Sequence, residues 1–369
     1  MKIKNKIPFV NLSLQFKNLE NELNQVFLEV GRSGNYILGD SVNQFEKKIA
    51  EYCNVKHTIS VANGSDALFL CLKAYGIGPG DEVITAANSF IATAWVIVAT
   101  GAKPILVDVC DDLNIDPKSI IKAITSNTKA IIPVHLAGRS APMTEIMSIA
   151  DKFGILVIED AAQAIGASYR NKKIGSIGNA AGFSLHPLKN LGVYGDGGFV
   201  TTNDDSLADK LKLLRNHGLL NRDNCVVWGY NSRLDTMQAA FALVKLKYLD
   251  KWNIRNREIA ERYRNKLKNY VNVPLDQEWE YNVYHNFIIT TSERDNLQKH
   301  LQNAGIGTAI HYPIPIHLQL VANSLGLSKG SFPKVEKLAE QMLSLPIYPE
   351  LSNIEVDNIS EVLISFFKK

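Results

Sequence analysis

The run ILVIEDAAQAIGA at residues 155–167 indicates the fold class of this 369-residue chain. Its apolar, largely β-branched start is typical of a buried parallel strand, and it leads directly into Glu159 and Asp160. Ligands of open α/β sheets bind at the carboxyl ends of strands, so we expect Asp160 and the following Gln163 to face a ligand. The alternative is that Asp160 only caps a turn, because aspartate is common at strand and helix ends.

Further apolar runs along the chain have the same short length and are separated by helix-sized intervals. They occupy residues 82–85, 104–109 and 130–134. Such alternation is typical of strand–helix crossover units and predicts an α/β large domain with a mostly parallel central sheet. Beyond residue 250, charged helical sequence and a strand-like run indicate a smaller C-terminal α+β domain. We place the large domain, with the N-terminal segment, at residues 1–250 and the small domain at residues 251–369.

Lys189 lies in the segment SLHPLKNLG, residues 184–192, between two strand-like runs. Lysine forms Schiff bases with carbonyl compounds, pyridoxal phosphate included. An isolated lysine is usually a solvated surface residue. Here Asp160 offers a partner for a pyridinium nitrogen, and Gln163 offers a hydrogen bond to a second ring substituent.

The segment NGSD at residues 63–66 precedes an apolar, helix-forming run. It places Gly64 and Ser65 at a helix N-terminus, where free N–H groups and the helix dipole favour phosphate. Taken alone, the same four residues open many ordinary helices.

Together these segments resemble the DegT/StrS-type nucleotide-sugar aminotransferases, a branch of the fold-type I pyridoxal-phosphate enzymes. The resemblance extends over almost the whole chain, which makes it far more specific than any one motif. Besides the lysine segment and residues 63–66, it includes residues 36–39, 87–93, 134–138, 159–163, 229–234 and 311–315. It implies a fold-type I aminotransferase-like architecture.

The resemblance also implies roles for individual residues. Lys189 would link covalently to the cofactor and carry protons, Asp160 would pair with the pyridine nitrogen, and Gln163 would approach the ring hydroxyl. Phe90 would stack on the ring. The residues implied to hold the cofactor phosphate are Gly64, Ser65, Ser184 and, from a neighbouring subunit, Asn231. The resemblance thus implies a homodimer with shared active sites.

Substrate contacts are expected near the mouth of the site. The residues are Tyr36, His186, His311 and Tyr312. Two positions depart from the family pattern, because Leu185 and Ala137 stand where aromatic residues are usual. Neither position has a chemical role, so these departures affect only the expected shape of a side pocket. A dehydrating subset of the family has histidine in place of the lysine, whereas here Lys189 is present. For Tyr312, core packing is the alternative role.

The implied reaction moves an amino group from L-glutamate, through pyridoxal 5'-phosphate and pyridoxamine 5'-phosphate, to a dTDP-linked 6-deoxy-keto-hexose. Carbon 3 is favoured, and the product would serve glycan biosynthesis such as lipopolysaccharide O-antigen or S-layer. The alternative is amination at carbon 4 of a UDP- or dTDP-4-keto sugar. A more distant alternative is a non-catalytic regulatory protein, but such a protein has no need of Lys189, Asp160 and Gln163 together.

Composition narrows the class of protein. The net charge of +3 and pI of about 8.5 are too balanced to indicate a nucleic-acid-binding surface. The four cysteines form no C-x-x-C pair, and His311 and His317 have no acidic or thiol partner nearby, so we expect no disulfide framework, no metal and a cytoplasmic location. The basic N-terminus lacks the apolar core of a secretory signal, so we expect none. The apolar residues 90–99 are too few to span a membrane, so we expect them to form a buried helix.

Overall fold

The computed structural model describes residues 6–368, so the predicted absence of a secretory signal falls partly on residues outside the description. The helices are α1 (Leu12–Ser33), α2 (Asp40–Cys53), α3 (Gly64–Ala74), α4 (Ile91–Thr100), α5 (Pro117–Ala123), α6 (Met143–Phe153), α7 (Asp205–Leu214), α8 (Thr236–Leu246), α9 (Leu249–Leu267), α10 (Arg294–Asn303), α11 (Pro333–Gln341) and α12 (Asn353–Phe367).

The strands alternate with these helices through most of the chain. They are β1 (His57–Val61), β2 (Glu82–Ala86), β3 (Lys103–Val107), β4 (Thr128–Ile132), β5 (Leu156–Asp160), β6 (Ser168–Tyr169), β7 (Lys172–Lys173), β8 (Ala180–Ser184), β9 (Gly198–Thr202), β10 (Leu219–Asn221), β11 (Asn224–Cys225), β12 (Glu280–Tyr281), β13 (Phe287–Thr290) and β14 (Met342–Leu345).

The central sheet has seven strands in the order β1-β9-β8-β5-β4-β2-β3. The neighbouring pairs from β8 through β3 are parallel, and β9 pairs antiparallel with both β8 and β1. The mostly parallel sheet predicted from the sequence is therefore confirmed. Its order brings the carboxyl ends of β5 and β8 side by side, which is where the candidate site lies.

Successive residues of the central strands face opposite cores. Val83 and Ile158 pack in one hydrophobic cluster with α3 and α7, whereas Ile84 and Val157 pack in another with α2 and α6. Because side chains alternate along a strand and helices cover both faces, these strands are apolar throughout. This two-sided burial explains why short continuous apolar runs marked the strands.

The C-terminal part has a separate hydrophobic cluster. It gathers apolar residues of α9, α10, α12, β13 and β14, and it includes Ile7 from the N-terminal segment. The N–H of Ile7 donates to the carbonyl of Gly305 at 2.9 Å, and that of Gly307 donates to the carbonyl of Ile7 at 2.8 Å. The division into residues 1–250 and 251–369 stays a prediction, with residues near Ile7 packed against the smaller part.

Helix α4 differs from the buried helix expected at residues 90–99. One face packs inward through Ala94 and Ile97, but the side chains of Trp95 and Val98 are 52% and 56% exposed in the single chain. The helix expected to be buried is therefore buried on one face only in the single chain, because apolar composition alone does not say what covers the other face. Among residues 6–368, no helix is long and apolar enough to cross a membrane.

Candidate active site

A cavity of about 560 Å³ opens at the carboxyl ends of β5 and β8, beside the first turns of α3 and α4. Ten of the residues selected from the sequence line it. They are Gly64, Ser65, Phe90, Asp160, Gln163, Ser184, His186, Lys189, His311 and Tyr312. The fold thus brings together segments that are up to about 250 positions apart in the chain.

Lys189 follows β8 in a turn held by a hydrogen bond from its own N–H to the carbonyl of His186, at 2.8 Å. Burial of the ammonium group lowers the pKa of Lys189 to about 8, while the carboxylate of Asp160 acts in the opposite direction. A lowered pKa gives this amine a substantial neutral fraction near neutral pH, as a nucleophile and proton carrier requires.

Asp160 ends β5 and is 6% exposed. Its Oδ2 accepts a hydrogen bond from Thr93 Oγ1 at 2.8 Å, and its Oδ1 accepts one from the N–H of Ala162 at 3.2 Å. Burial raises the pKa of Asp160, and the two hydrogen bonds together with Lys189 oppose that rise. The contact with Ala162 is a local cap of the kind considered from the sequence, but the carboxyl group also lines the cavity.

The preceding residue, Glu159, points away from the cavity and is completely buried. Its carboxylate accepts hydrogen bonds from the N–H groups of Gly175, Ile177 and Gly178 and lies 3.0 Å from Nε2 of His135. Although burial opposes it, these hydrogen bonds hold the pKa of Glu159 below its ordinary value. The N–H of His135 in turn donates to the carbonyl of Asp160 at 3.0 Å. His135 and Glu159 therefore hold the end of β5 on the side away from the cavity.

Gln163 is oriented by two hydrogen bonds. Its Oε1 accepts from the N–H of Ala137 at 2.7 Å, and its Nε2 donates to the hydroxyl of Tyr312 at 3.2 Å. The ring of Tyr312 lies 5.8 Å from that of Phe90, the residue before α4. Burial raises the pKa of Tyr312 to about 12, so its hydroxyl stays protonated.

The first turn of α3 forms an anion-binding cradle. Asn63 caps the helix by accepting from the N–H of Asp66 at 2.8 Å, and the N–H groups of Gly64 and Ser65 have no acceptor within residues 6–368. A Cβ placed on Gly64 would lie 2.7 Å from Cβ of Ser184, so only glycine lets this turn approach β8 so closely. Gly64, Ser65 and Ser184 line the same cavity, and two free N–H groups at a helix N-terminus suit a phosphate.

Three residues at this site carry roles that the sequence analysis did not assign. Thr93 was quoted there only as part of a segment, and its bond to Asp160 joins residues 67 positions apart. His135 was named there only within residues 134–138. His285 lines the cavity beside Lys189, and burial holds its pKa well below the ordinary histidine value, with Lys189 acting in the same direction. The only sequence signal for His285 is its position between an aromatic residue and an apolar run, and this signal does not by itself predict a site residue.

His311 has Nδ1 2.9 Å from Ser344 Oγ, and burial lowers its pKa to about 4. His317 instead lies 2.9 Å from Glu336, so the two histidines have separate partners. Within residues 6–368, no group of three or more His, Cys, Asp or Glu side chains is placed to hold a metal ion.

Tyr36 and Asn231 do not line the cavity in the single chain. Tyr36 is 52% exposed and donates its hydroxyl to the carbonyl of Gly31 at 3.1 Å. Asn231 is exposed and follows the β10–β11 hairpin, whose neighbour Trp228 is 96% exposed. The predicted roles of both residues therefore stay predictions.

Comparison with known proteins agrees with this geometry. A "pleiotropic regulatory protein" of Geobacillus stearothermophilus is 46% identical, over 98% of this chain and 99% of its own. A dTDP-3-amino-3,6-dideoxy-alpha-D-galactopyranose transaminase of Aneurinibacillus thermoaerophilus is 46% identical, over 97% and 98%.

Two solved structures are similar throughout. DesV of S. venezuelae, in complex with a ketimine intermediate, has a TM-score of 0.97 at 39% identity, covering 99% of this chain and 100% of that one. Ntda of Bacillus subtilis, with bound cofactor PMP, has a TM-score of 0.92 at 33% identity, covering 100% and 87%. The model of the DegT/DnrJ/EryC1/StrS aminotransferase family matches residues 17–364. With its cavity lined by Lys189, Asp160 and Gln163, this chain belongs to that family.

Proposed function

We propose that this chain is a pyridoxal-phosphate-dependent aminotransferase that transfers the amino group of L-glutamate to carbon 3 of a dTDP-linked 6-deoxy-keto-hexose. The observation that carries the proposal is the placement of Lys189, with its pKa lowered to about 8, in one cavity with Asp160 and the α3 cradle. An amine, a buried carboxylate and an anion site are the three groups that this cofactor needs from a protein.

The residues present fit the cofactor. The cradle of Gly64, Ser65 and Ser184 suits its phosphate, Asp160 suits its ring nitrogen, and Gln163 suits its ring hydroxyl. When bound, the cofactor supplies a reactive carbonyl and an electron-withdrawing ring.

The protein residues supply binding and proton transfer. Lys189 would hold the cofactor through Nζ, and its neutral amine would take the proton from the donor Cα. Opposite it, the hydrogen bonds from Thr93 and Ala162 to the two oxygens of Asp160 favour the ionised form of this carboxyl group. Tyr312 keeps its hydroxyl proton at neutral pH and stays available for a hydrogen bond to substrate.

The choice of carbon 3 and of a dTDP sugar is supported by the name of the Aneurinibacillus relative, a dTDP-3-amino-3,6-dideoxy-alpha-D-galactopyranose transaminase. To test it, the enzyme is incubated with L-glutamate and matched 3-keto and 4-keto dTDP sugars, and NMR identifies the aminated carbon. We expect an amine at carbon 3 from the 3-keto sugar, and no amine with Lys189→Ala. Amination of only the 4-keto sugar would instead support the carbon-4 alternative. The product would serve glycan biosynthesis, including lipopolysaccharide or S-layer.

The working unit that we propose is a homodimer with shared sites, in the cytoplasm. Support for the dimer comes from apolar side chains exposed in the single chain near Asn231, among them Leu220 and Trp228, which are 65% and 96% exposed. Large exposed apolar side chains are typical of interfaces. The cysteines, free throughout residues 6–368, support a reducing compartment.

A regulatory function is the second candidate, because the Geobacillus relative bears a regulatory name. A binding-only protein would take up the keto sugar without forming an amine. The same incubation separates the two functions, since binding of the 3-keto sugar with no aminated product from any sugar of the panel would favour regulation.

A further inference from the structure

A small cavity of about 40 Å³ lies behind Lys189, between the N-terminal segment, the lysine segment, α9 and residues 347–350. We call it the rear cavity. Its lining includes the polar side chains of Asn11, Gln15, Tyr348 and Glu350, and Gln15 and Glu350 are partly exposed. A buried water needs about 10–15 Å³ and two to four polar partners, so the rear cavity suits about three waters. Because two of the lining residues reach the protein surface, these waters can exchange with bulk solvent.

The rear cavity and the active-site cavity share three lining residues, Leu188, Lys189 and His285. These three residues form the partition between the two spaces. Leu188 is apolar, so only the amine of Lys189 and the imidazole of His285 can carry a proton across the partition. His285 therefore gives Lys189 a polar neighbour that reaches the space behind it.

The imidazole of His285 is free to carry protons. It is partly buried, and its ring nitrogens make no hydrogen bond within residues 6–368 although both retain accessible surface. Burial lowers the pKa of His285 well below the ordinary histidine value, and the nearby Lys189, His311 and His186 act in the same direction. The ring is therefore neutral, with one N–H donor and one acceptor nitrogen. Such a ring can accept a proton on one nitrogen while it releases one from the other.

A rear route for protons matters once the active-site cavity is occupied. Cofactor and substrate displace water from the side of Lys189 that faces this cavity, because an occupied active site excludes solvent. The proton that Lys189 takes from the donor would then reach water only through the partition. On the rear side, burial raises the pKa of Glu350 above its ordinary value, so this carboxylate is a better proton acceptor for the rear waters.

We propose that the rear cavity is a proton-exchange site, in which water exchanges the protons of Lys189 with solvent through the imidazole of His285. The proposal rests on the proposed role of Lys189 as the proton carrier. In the outward direction, the ammonium group of Lys189 gives a proton to one ring nitrogen of His285, and the other ring nitrogen gives its proton to a rear water. That water passes a proton to Glu350 or to solvent. The reverse sequence returns a solvent proton to the amine and restores the tautomer of the imidazole, and no electrons are transferred.

The test uses L-glutamate with deuterium at Cα, which reacts with an excess of cofactor-loaded protein in ordinary water. Mass spectrometry measures the deuterium that remains in the pyridoxamine 5'-phosphate formed. Because the ammonium group of Lys189 has three hydrogens that interchange, retention without solvent exchange is limited to about one third. We expect the wild type to retain little deuterium. His285→Phe, which fills the space of the ring without its nitrogens, should retain at least about threefold more.

A second variant acts from the rear side. Gln15→Phe should fill the rear cavity from α1 and leave His285 in place, so it should raise retention as well. Damage to the active site cannot imitate this result, because slower proton delivery leaves more time for exchange and lowers retention. The matched control is His57→Phe, which removes a partly buried imidazole that lines neither cavity. It should retain deuterium like the wild type.

NMR of the cofactor-loaded protein at rest provides a readout that does not depend on turnover. With isotope-labelled histidine, the ring N–H of His285 should show a cross-peak to water, and Gln15→Phe should remove it. The proposal is overturned if this cross-peak persists in Gln15→Phe, or if both folded variants retain deuterium like the wild type. If His285→Phe fails to fold, Gln15→Phe decides. Failure of the wild type to form any pyridoxamine 5'-phosphate from L-glutamate would instead overturn the proposed function, and this inference with it.

Discussion

Single residues at this site act through opposed electrostatic effects. Burial favours the neutral form of both Lys189 and Asp160, yet each favours the charged form of the other. The pKa of Lys189 therefore stays at about 8, instead of falling further. Thr93 and Ala162 donate hydrogen bonds to the two oxygens of Asp160, and these bonds favour its ionised form.

This balance predicts how cofactor capture depends on pH. The apoprotein should bind pyridoxal phosphate faster as pH rises through about 8, because deprotonation of Lys189 supplies the neutral amine. Asp160→Asn removes the charge that raises the pKa of Lys189, so the midpoint should move to lower pH. Stopped-flow absorbance measures the midpoints of the wild type and of the variant. The pH range is 6–10, which extends roughly two units on either side of the pKa of Lys189. An unshifted midpoint in the folded variant contradicts the electrostatic coupling.

Covalent capture should occur at Lys189 alone. Borohydride treatment of the loaded protein should fix the cofactor mass on the peptide that contains Lys189, as read by mass spectrometry. Lys189→Ala should lose both this adduct and turnover. Wild-type transamination by that variant would show that another amine does the chemistry.

Thr93 should be a positioning residue for Asp160. Thr93→Val keeps the shape of the side chain but removes the 2.8 Å hydrogen bond, so turnover should fall about tenfold, or 1.4 kcal/mol. The absorbance pH midpoint of the bound cofactor should shift as well. Thr93→Ser, which retains the hydroxyl, should restore both values. Equal losses in the two variants would assign the effect to packing.

At the scale of elements, the first turn of α3 depends on its contact with β8. Gly64→Ala places a Cβ 2.7 Å from Cβ of Ser184, so the turn must move and its N–H groups must leave the cradle. Cofactor affinity, measured by titrating the apoprotein, should fall at least about tenfold while the fold persists.

The matched control for Gly64→Ala is Gly31→Ala, at an exposed position of α1 where a Cβ meets nothing within 4 Å. That variant should bind cofactor normally and gain up to about 1 kcal/mol in its free energy of unfolding. If Gly64→Ala binds as tightly as the wild type, the cradle is not the phosphate site.

The elements that the sequence predicted well are those whose pattern lies within one short stretch of residues. The run around Val157 marked its strand because both faces are buried, and Lys189 stood out because its segment lies between two strands. The strand-like run beyond residue 250 occupies residues 284–290, but Tyr284 has a φ of 47° and β13 begins only at Phe287, so the strand is three residues shorter than the run. That backbone turn, invisible in composition, is also what delivers His285 to the cavity.

The partners of Thr93 and Ala137 were beyond sequence reasoning for a related reason. The bond from Thr93 to Asp160 and the bond from the N–H of Asn286 to the carbonyl of Ala137 exist only once distant segments have packed. No periodicity or spacing in one sequence encodes such contacts.

For the whole molecule, shared sites predict complementation between inactive chains. If Asn231 completes the phosphate site of a neighbouring subunit, mixing Lys189→Ala with Asn231→Ala should give heterodimers with one intact site. Activity should rise above that of either parent after subunit exchange, which mass spectrometry follows independently. If exchange is verified and the activity equals only the average of the parents, Asn231 acts in the active site of its own chain or has no role in either site.

The pairing of Ile7 with residues 305–307 has a consequence for biosynthesis. The segment around Ile7 leaves the ribosome almost 300 residues before its partners emerge. At about 5–20 residues per second, this interval lasts roughly 15–60 s. During this interval the apolar residues near Ile7 lack their native neighbours, so early chaperone contact should concentrate on this segment of the nascent chain.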